Sequence, residues 1–408
     1  MFGSDYNPHG TKTYAFFEPI VSQDNSGPFQ IFFKDVISLI WNSRLSLFLF
    51  WPPFPVRPLD ELYLFSWSFV ELIWFTFWSV VQFPIVLIAF LALIIVVGVV
   101  GLFTWIHSVL FWKILHGPPI QVYPPNLPPF PPDLEVSPID GQRWIYINGI
   151  ATGKALLRQN IELLYEMFNR PILGINNRTY GFLGDILESV VQRSFGFRTA
   201  ETRIALPIIR TYLQDPNIYR VVLIAHSQGG LIASHILDDL YTDLSEFDLH
   251  KLEVYTFGSA ALHFKNPPLS HNPPPTSLAA LDFKRALLID NPPPNSRAVP
   301  HIEHYCNEFD MVTTWGALSS SQSPGTDFLG KVFVAEGATG HLLNQFYLYQ
   351  WFGESPQDLP IAPCPNTFMG RSVVDLGNRF WLPEIIDPRV PIMWDESRLR
   401  HYLGGRTP

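Results

Sequence analysis

Residues 220–237 read Arg220-Val-Val-Leu-Ile-Ala-His-Ser227-Gln-Gly-Gly-Leu-Ile-Ala-Ser-His-Ile-Leu237. Val221 to Ala225 is an unbroken apolar run, the pattern of a strand buried on both faces. Ser227 and two glycines end that run, and apolar residues then recur at helical spacing from Gly229 to Leu240. A buried strand turning sharply into a helix is half of a parallel α/β unit.

The chain around this stretch repeats the unit. Trp144–Ile150 reads as a strand ending in the turn Asn148-Gly149, and Gly153–Asn169 as a helix with one apolar face. Pro171–Ile175 predicts a second strand and Phe182–Arg193 an amphipathic helix. Downstream, Leu252–Phe257 and Lys331–Val334 read as strands, with Leu342–Trp351 helical after them. Strands alternating with helices predict an α/β domain with a mostly parallel sheet, over residues 139–408.

Ala225-His226-Ser227-Gln228-Gly229 fits the nucleophile-elbow pattern G-x-S-x-G with alanine in the first glycine position. Small residues are needed two places either side of the serine, because the strand folds back onto a helix there. Ser227 then stands at a helix N-terminus, where the amide of Gln228 can receive a developing oxyanion. A serine hydroxyl also needs a base and an acid to orient that base. With the chain order Ser, Asp, His, the choice of base falls on His341 or His401. His401 sits in a charged tail, whereas His341 follows a strand and a glycine-rich loop, Gly337-Ala-Thr-Gly-His341. Asp310, in Asn307-Glu-Phe-Asp310, is the candidate acid, with Asp290 and Asp327 as rivals. Such a site needs neither metal nor organic cofactor.

Four segments in order, Ala225–Gly230, Tyr255-Thr-Phe-Gly258, Asn307-Glu-Phe-Asp310 and Gly340-His341-Leu-Leu-Asn344, resemble the motif series of class 3 lipase-like α/β-hydrolases. With Ile147-Asn-Gly-Ile150 and Gly174-Ile-Asn-Asn177, the series is similar to uncharacterised, membrane-anchored fungal proteins of that fold. The resemblance covers residues 144–350. It implies an α/β-hydrolase fold, ester substrates and a Ser227–Asp310–His341 triad. It also implies a second oxyanion donor near the first strand, for which the Gly149–Ile150 turn is the candidate. Ala225 departs from the pattern.

Composition divides the chain. Only 12 of the first 120 residues are charged, against 51 of the remaining 288, and the net charge is −9. That balance, with no basic cluster, argues against nucleic-acid binding. Two cysteines exclude a disulfide scaffold and fit a reducing compartment.

From Leu72 to Trp112 there are 41 consecutive residues without Asp, Glu, Lys or Arg. Pro84–Ile106 alone is long enough to cross a bilayer as a helix of roughly 34 Å. The preceding Leu62–Phe83 is aromatic-rich, and Glu61, Ser68, Glu71, Ser79 and Gln82 share a narrow polar stripe at helical spacing. It reads either as a helix lying in the headgroup region or as a second crossing with Glu71 turned to a partner or water. Ile31–Phe50 reads as interfacial, and the polar start of the chain does not resemble a signal peptide. The expected organisation is therefore residues 1–58 polar and interfacial, 59–116 membrane region with one or two helices, and 117–138 a proline-rich linker with nine prolines.

These readings lead to a membrane-anchored serine hydrolase of lipid or other esters, at the endoplasmic reticulum or a lipid droplet, with no predictable protein partner. Two alternatives stay open: a catalytically silent hydrolase fold acting as a tethered interaction domain, or a thioesterase or deacylase of lipid-linked substrates. Other features read blandly. His301 and His304 lack the companions of a metal site, His226 reads as a packing or hydrogen-bonding residue, and Asn177-Arg-Thr179 as a structural turn.

Overall fold

The strand that opened the reading, β5 (Arg220–His226), lies at the centre of an eight-stranded sheet. The computed structural model describes residues 13–16, 28–48, 57–91, 101–103, 105–106, 116–125, 141–269, 297–323, 327–353 and 397–408. β5 pairs in parallel with β3 (Gln142–Ile147) and β6 (Leu252–Phe257), and β3 in parallel with β4 (Ile172–Ile175). β7 (His301–Asn307) and β8 (Lys331–Ala335) extend the parallel set beyond β6. Two antiparallel edges close it: β1 (Thr13–Phe16) on β8, and β2 (Ile120–Tyr123) on β4. β2 falls within the proline run, so residues 120–123 belong to the sheet.

The unbroken apolar run of β5 follows from burial on both faces. Val222 and Ile224 point into one layer with Trp144, Tyr255 and Phe257. Val221, Leu223 and Ala225 point into the other with Ile209, Ile232 and Ile236. The first layer is covered by α3 (Lys154–Phe168), through Leu157, Ile161, Leu164 and Phe168. α3 stops at Asn169, whose left-handed backbone turns its N–H back to the Tyr165 carbonyl. α5 (Ala200–Gln214) and α6 (Gln228–Asp243) cover the second layer. α4 (Phe182–Phe195) lies over the carboxyl-end side, toward the mouth of the candidate site.

The N-terminal third also contributes ordered helices. α1 (Pro28–Asn42) packs on α4, and Arg193 on α4 forms a buried ion pair with Asp35 at 3.2 Å. α2 (Trp67–Leu91) is one helix that runs through Pro84 rather than beginning there. Residues 92–100, the middle of the expected Pro84–Ile106 span, lie outside the described residues. Trp67–Leu87 is long and apolar enough to cross a membrane by length and composition, with a mean hydropathy of 1.7 over its most apolar window.

The narrow polar stripe of α2 is its inner face. Glu71 accepts hydrogen bonds from the Ala155 and Leu156 amides at the start of α3, at 3.0 and 3.1 Å. Ser79 accepts from the Phe182 amide, and Gln82 donates to the Tyr180 carbonyl. Leu72 and Phe75, 4% and 0% exposed, fill the space between. Burying those two side chains contributes about 1.5–3 kcal/mol each, so α2 is held along its length.

Candidate active site

Between β5 and α6, Ser227 adopts φ 58°, ψ −123°, a strained conformation costing about 1–3 kcal/mol for a residue with a side chain. Neighbouring backbone fixes it there. The Ser227 amide donates to the Phe257 carbonyl at 2.9 Å, and the Ser227 carbonyl accepts from the Gly230 and Ala260 amides. The glycines after Ser227 are sterically required. A Cβ on Gly229 would lie 2.3 Å from the Ile147 carbonyl oxygen, and one on Gly230 2.3 Å from Ser259 Oγ. Ala225 obeys the same need for a small residue from the other side, its side chain buried in the α6 layer.

Loops after β7 and β8 bring Asp310 and His341 together. Asp310 caps α7 (Met311–Trp315), its Oδ1 accepting from the Val312 amide at 2.8 Å. Its Oδ2 accepts from His341 Nδ1 at 2.6 Å and from the Tyr347 hydroxyl at 2.7 Å. Gly258, with φ 56°, makes room for the pair: a Cβ there would sit 3.0 Å from His341 Cε1 and 3.1 Å from Asp310 Oδ2. The rivals among the described residues stand apart. The described contact of Asp327 is its backbone carbonyl accepting from the Phe264 amide, His401 is exposed, and Asp290 lies outside the described residues.

His341 Nε2 carries no hydrogen bond among the described residues, so it does not bond the Ser227 hydroxyl in this structure. Apo geometries of this kind commonly tighten only with substrate bound. His226 links the two residues instead. Its Nε2 donates to the His341 carbonyl at 2.7 Å, and the two imidazoles overlap with centroids 4.7 Å apart. Burial holds the His226 pKa well below the ordinary histidine value, and the neighbouring His341 acts in the same direction.

The expected oxyanion groups converge on Ser227. Gln228 opens α6 directly after the serine, with its N–H among the unpaired amides of a helix start. Gly149 touches the serine so closely that a Cβ would fall 2.4 Å from Ser227 Cβ and 3.0 Å from its Oγ. The Gly149–Ile150 turn is clamped from behind. Asn148 and Asn177 exchange hydrogen bonds, Asn177 N to Asn148 Oδ1 at 2.7 Å and Asn148 Nδ2 to the Asn177 carbonyl at 3.0 Å. Ala151, at φ 52°, gives its amide to Asp185, which also accepts from Thr179 Oγ1 and the Tyr180 amide. Burial pushes the Asp185 carboxyl up to about 6 despite these donors. The Gln228 side chain is locked by Asn177, Glu188 and Gln192.

A cavity of about 580 Å³, counting its open mouth, faces this cluster. Ile150, His226 and His341 line it, together with the apolar Phe182, Met311 and Leu342. Glu61 and Leu72 complete it from the N-terminal third. Glu61 Oε1 accepts from the Asn344 amide at 2.6 Å and Oε2 from the Gln345 amide at 3.0 Å, three and four residues past His341. Burial pushes the Glu61 carboxyl up to about 7.

No protein-family profile and no curated protein matches the chain. Among solved structures, it is similar to esterase LipW from Mycobacterium marinum, at 11% identity and TM-score 0.27, over 49% of this chain and 66% of that one. It is also similar to an esterase from Pyrobaculum calidifontis, at 14% identity and TM-score 0.29, over 56% and 74%. A third is EstE1, a thermostable carboxylesterase cloned from a metagenomic library, at 14% identity and TM-score 0.27, over 50% and 74%. Similarity at this level carries no argument about chemistry. The sheet order and the Ser227 elbow define the α/β-hydrolase fold on their own geometry.

Three supports of the site are absent from the sequence reading: Tyr347 on Asp310, Asp185 behind the Gly149 turn, and Glu61 behind the His341 loop. The polar stripe through Glu61 and Glu71 was the available signal for the last. Nothing local marks Tyr347 or Asp185. His304, which lacks the companions of a metal site, is fully buried in β7, bonded to Thr256 Oγ1 and the Leu329 carbonyl. Asn177 is buried and bonded on both sides, which excludes it as a glycosylation acceptor in the folded protein.

Proposed function

We propose that the protein is a membrane-associated serine hydrolase of carboxylic esters, with lipid esters as its substrates. The observation that carries this reading is the His341 Nδ1–Asp310 Oδ2 hydrogen bond of 2.6 Å in the loop cluster that faces the strained Ser227. Ser227 Oγ attacks the ester carbonyl carbon as His341 Nε2 takes the hydroxyl proton. The carbonyl π pair moves onto oxygen, which the amides of Gln228 and the Gly149–Ile150 turn receive. Collapse expels the alcohol, protonated by His341, and leaves an acyl-serine. Water, deprotonated by the same imidazole, then releases the acid. Asp310 holds the imidazole tautomer throughout.

Lipid as substrate is supported by the apolar cavity walls and by an N-terminal third with almost no charge. Esters of that kind reside in endoplasmic-reticulum membrane or on lipid droplets. The motif series also resembles that of class 3 lipase-like proteins, and the ester class rests on that resemblance.

The test is hydrolysis by purified protein of a long-chain acylglycerol in mixed micelles and of a soluble short-chain ester. The expected result is turnover of both, faster on the long chain, and a fall of about 10³-fold or more in Ser227→Ala. Turnover unchanged in Ser227→Ala, or none on any ester, contradicts the proposal.

A further inference from the structure

The outward faces of α1, α2 and α4 differ from the rest of the molecule. Among the described residues, every exposed large hydrophobic except Leu102, Trp105, Ile106, Tyr219 and Phe309 lies on these helices or on the segments that flank them. α1 presents Phe33, Ile37, Ile40 and Trp41, and α4 presents Leu187, Val191 and Phe195. α2 presents Trp67, Val70, Ile73, Phe77, Val80 and Phe83, continuing to Leu87. The one charged residue of α2, Glu71, is buried on its opposite side. Two cations border the surface, Lys34 and Arg44, the latter stacked over Trp41 at 5.3 Å, while the acid of α1, Asp35, is buried against Arg193.

A helix that crosses a bilayer is surrounded by lipid or partner helices along about 20 residues. α2 cannot be. Glu71, Ser79 and Gln82 tie it lengthwise to the starts of α3 and α4, whose backbone amides and carbonyls they bond. Among the described residues its inner stripe runs from Ser68 to Gln82 and its outer stripe from Trp67 to Leu87. An apolar half-cylinder fastened to a water-soluble sheet domain fits one surface of a membrane, with tryptophans and phenylalanines at the headgroup boundary and cations at the rim.

We propose that α2 lies in the plane of one phospholipid leaflet, together with the outward faces of α1 and α4, instead of crossing the membrane. The inference rests on the membrane-association part of the proposed function and names its geometry. The leaflet is the occupant the surface fits: most of α2 lies in the uncharged sequence stretch Leu72–Trp112, and the exposed charges on α1 and the segment just after it are the cations Lys34 and Arg44, which match anionic headgroups in a chain of net charge −9. It also sets the route of substrate. Leu72, on the inner side of α2, lines the cavity beside His341. An ester drawn from the leaflet passes this helix to reach Ser227, so the substrates are amphiphilic esters with the headgroup at the interface and the acyl chain in the same leaflet.

The experiment is depth measurement by spin labels on the full chain bound to phosphatidylcholine–phosphatidylserine vesicles. Cys364 is replaced by serine, and single cysteines are placed as Trp67→Cys, Ile73→Cys, Phe77→Cys, Val80→Cys and Leu87→Cys. Collisional accessibility to oxygen and to a water-soluble nickel chelate gives the depth of each label, and a circular dichroism melt checks each fold. All five labels at one similar shallow depth, about 5–10 Å below the surface, support the proposal. Both ends must also react with an impermeant maleimide from outside the vesicle before insertion and resist it afterwards. A depth profile deepest at Phe77, with Trp67 and Leu87 shallow in opposite leaflets, means a membrane crossing and overturns it. Labels screened from oxygen and immobilised without lipid mean that protein covers the face, a second copy included, and also overturn it. None of these readouts involves hydrolysis, so loss of the serine-hydrolase reading is recognised separately by absent turnover.

Discussion

The His226 ring lies over the ring of His341 and donates its Nε2–H to the His341 carbonyl oxygen at 2.7 Å. The residue before Ser227 therefore holds the backbone of His341. The bond needs a proton on Nε2, and burial keeps the ring neutral by holding its pKa well below the ordinary value, so His226 is the Nε2–H tautomer. Long-range 1H–15N spectra of the His226 imidazole should show that one tautomer unchanged from pH 8 to pH 5. Because its folded pKa is depressed, His226 contributes stability above pH ~6.5, the unfolded value, that is lost as pH falls below it. His226→Phe leaves the buried His341 carbonyl without its donor and should cost about 1–3 kcal/mol in urea unfolding.

Tyr347 shares Asp310 Oδ2 with His341. Tyr347→Phe removes one donor from a buried carboxylate, a loss of about 1.5–3 kcal/mol of stability. With one of its anchors gone, the Asp310 carboxylate holds the His341 ring less firmly, so kcat/KM on a short-chain ester should fall several-fold. A purely structural role for Tyr347 predicts a lower melting temperature with kcat/KM of the folded protein unchanged.

Gly149 and Ala225 are small for different reasons, and single substitutions separate them. Gly149→Ala drives a methyl into Ser227 and should lower kcat by about 10²-fold or more, on the scale of losing an oxyanion donor. Ala225→Gly adds no space at Ser227, since the Ala225 side chain faces the α6 layer. It should leave kcat/KM within a few-fold while lowering stability by about 1 kcal/mol.

Glu61 ties the N-terminal third to the loop of the base, and its carboxyl is raised to about 7 by burial, against which its amide donors pull. A raised carboxyl contributes stability below its unfolded value that is lost as pH rises through the folded one. Relative to Glu61→Gln, the wild type should therefore lose stability as pH rises from about 4.5 to about 7, by a few kcal/mol in all, and level off above that range. A difference that is flat with pH, or that grows in favour of the wild type, contradicts the assignment.

What the sequence made legible was local. β5, Ser227 and α6 are written in consecutive residues, and Leu252–Phe257 was read to the residue because a central parallel strand is apolar throughout. β7 escaped notice because its run His301-Ile-Glu-His-Tyr-Cys-Asn is half polar. Those polar groups are buried only because distant partners meet them: Thr256 on His304, and Ser397 and the Arg398 amide with Glu303. α5 was obscured by Pro207 within it. The stripe through Glu71, Ser79 and Gln82 was visible at helical spacing, but its partner, the edge of the hydrolase domain, lies about a hundred residues away. Elimination along the chain singled out His341, Asp310 stood among three candidate acids until the fold set it against the imidazole, and Tyr347 and Asp185 belong to the site only through the fold.

The central claim is that Ser227 is an activated nucleophile, and covalent labelling with a fluorophosphonate tests it most directly. The full chain in its native membrane or in detergent should be labelled, with the modification mapped to the Ser227 peptide and absent from Ser227→Ala. Labelling should also fall strongly in His341→Ala. An unlabelled wild-type protein whose melting curve shows it folded, or labelling that survives in Ser227→Ala, contradicts the account.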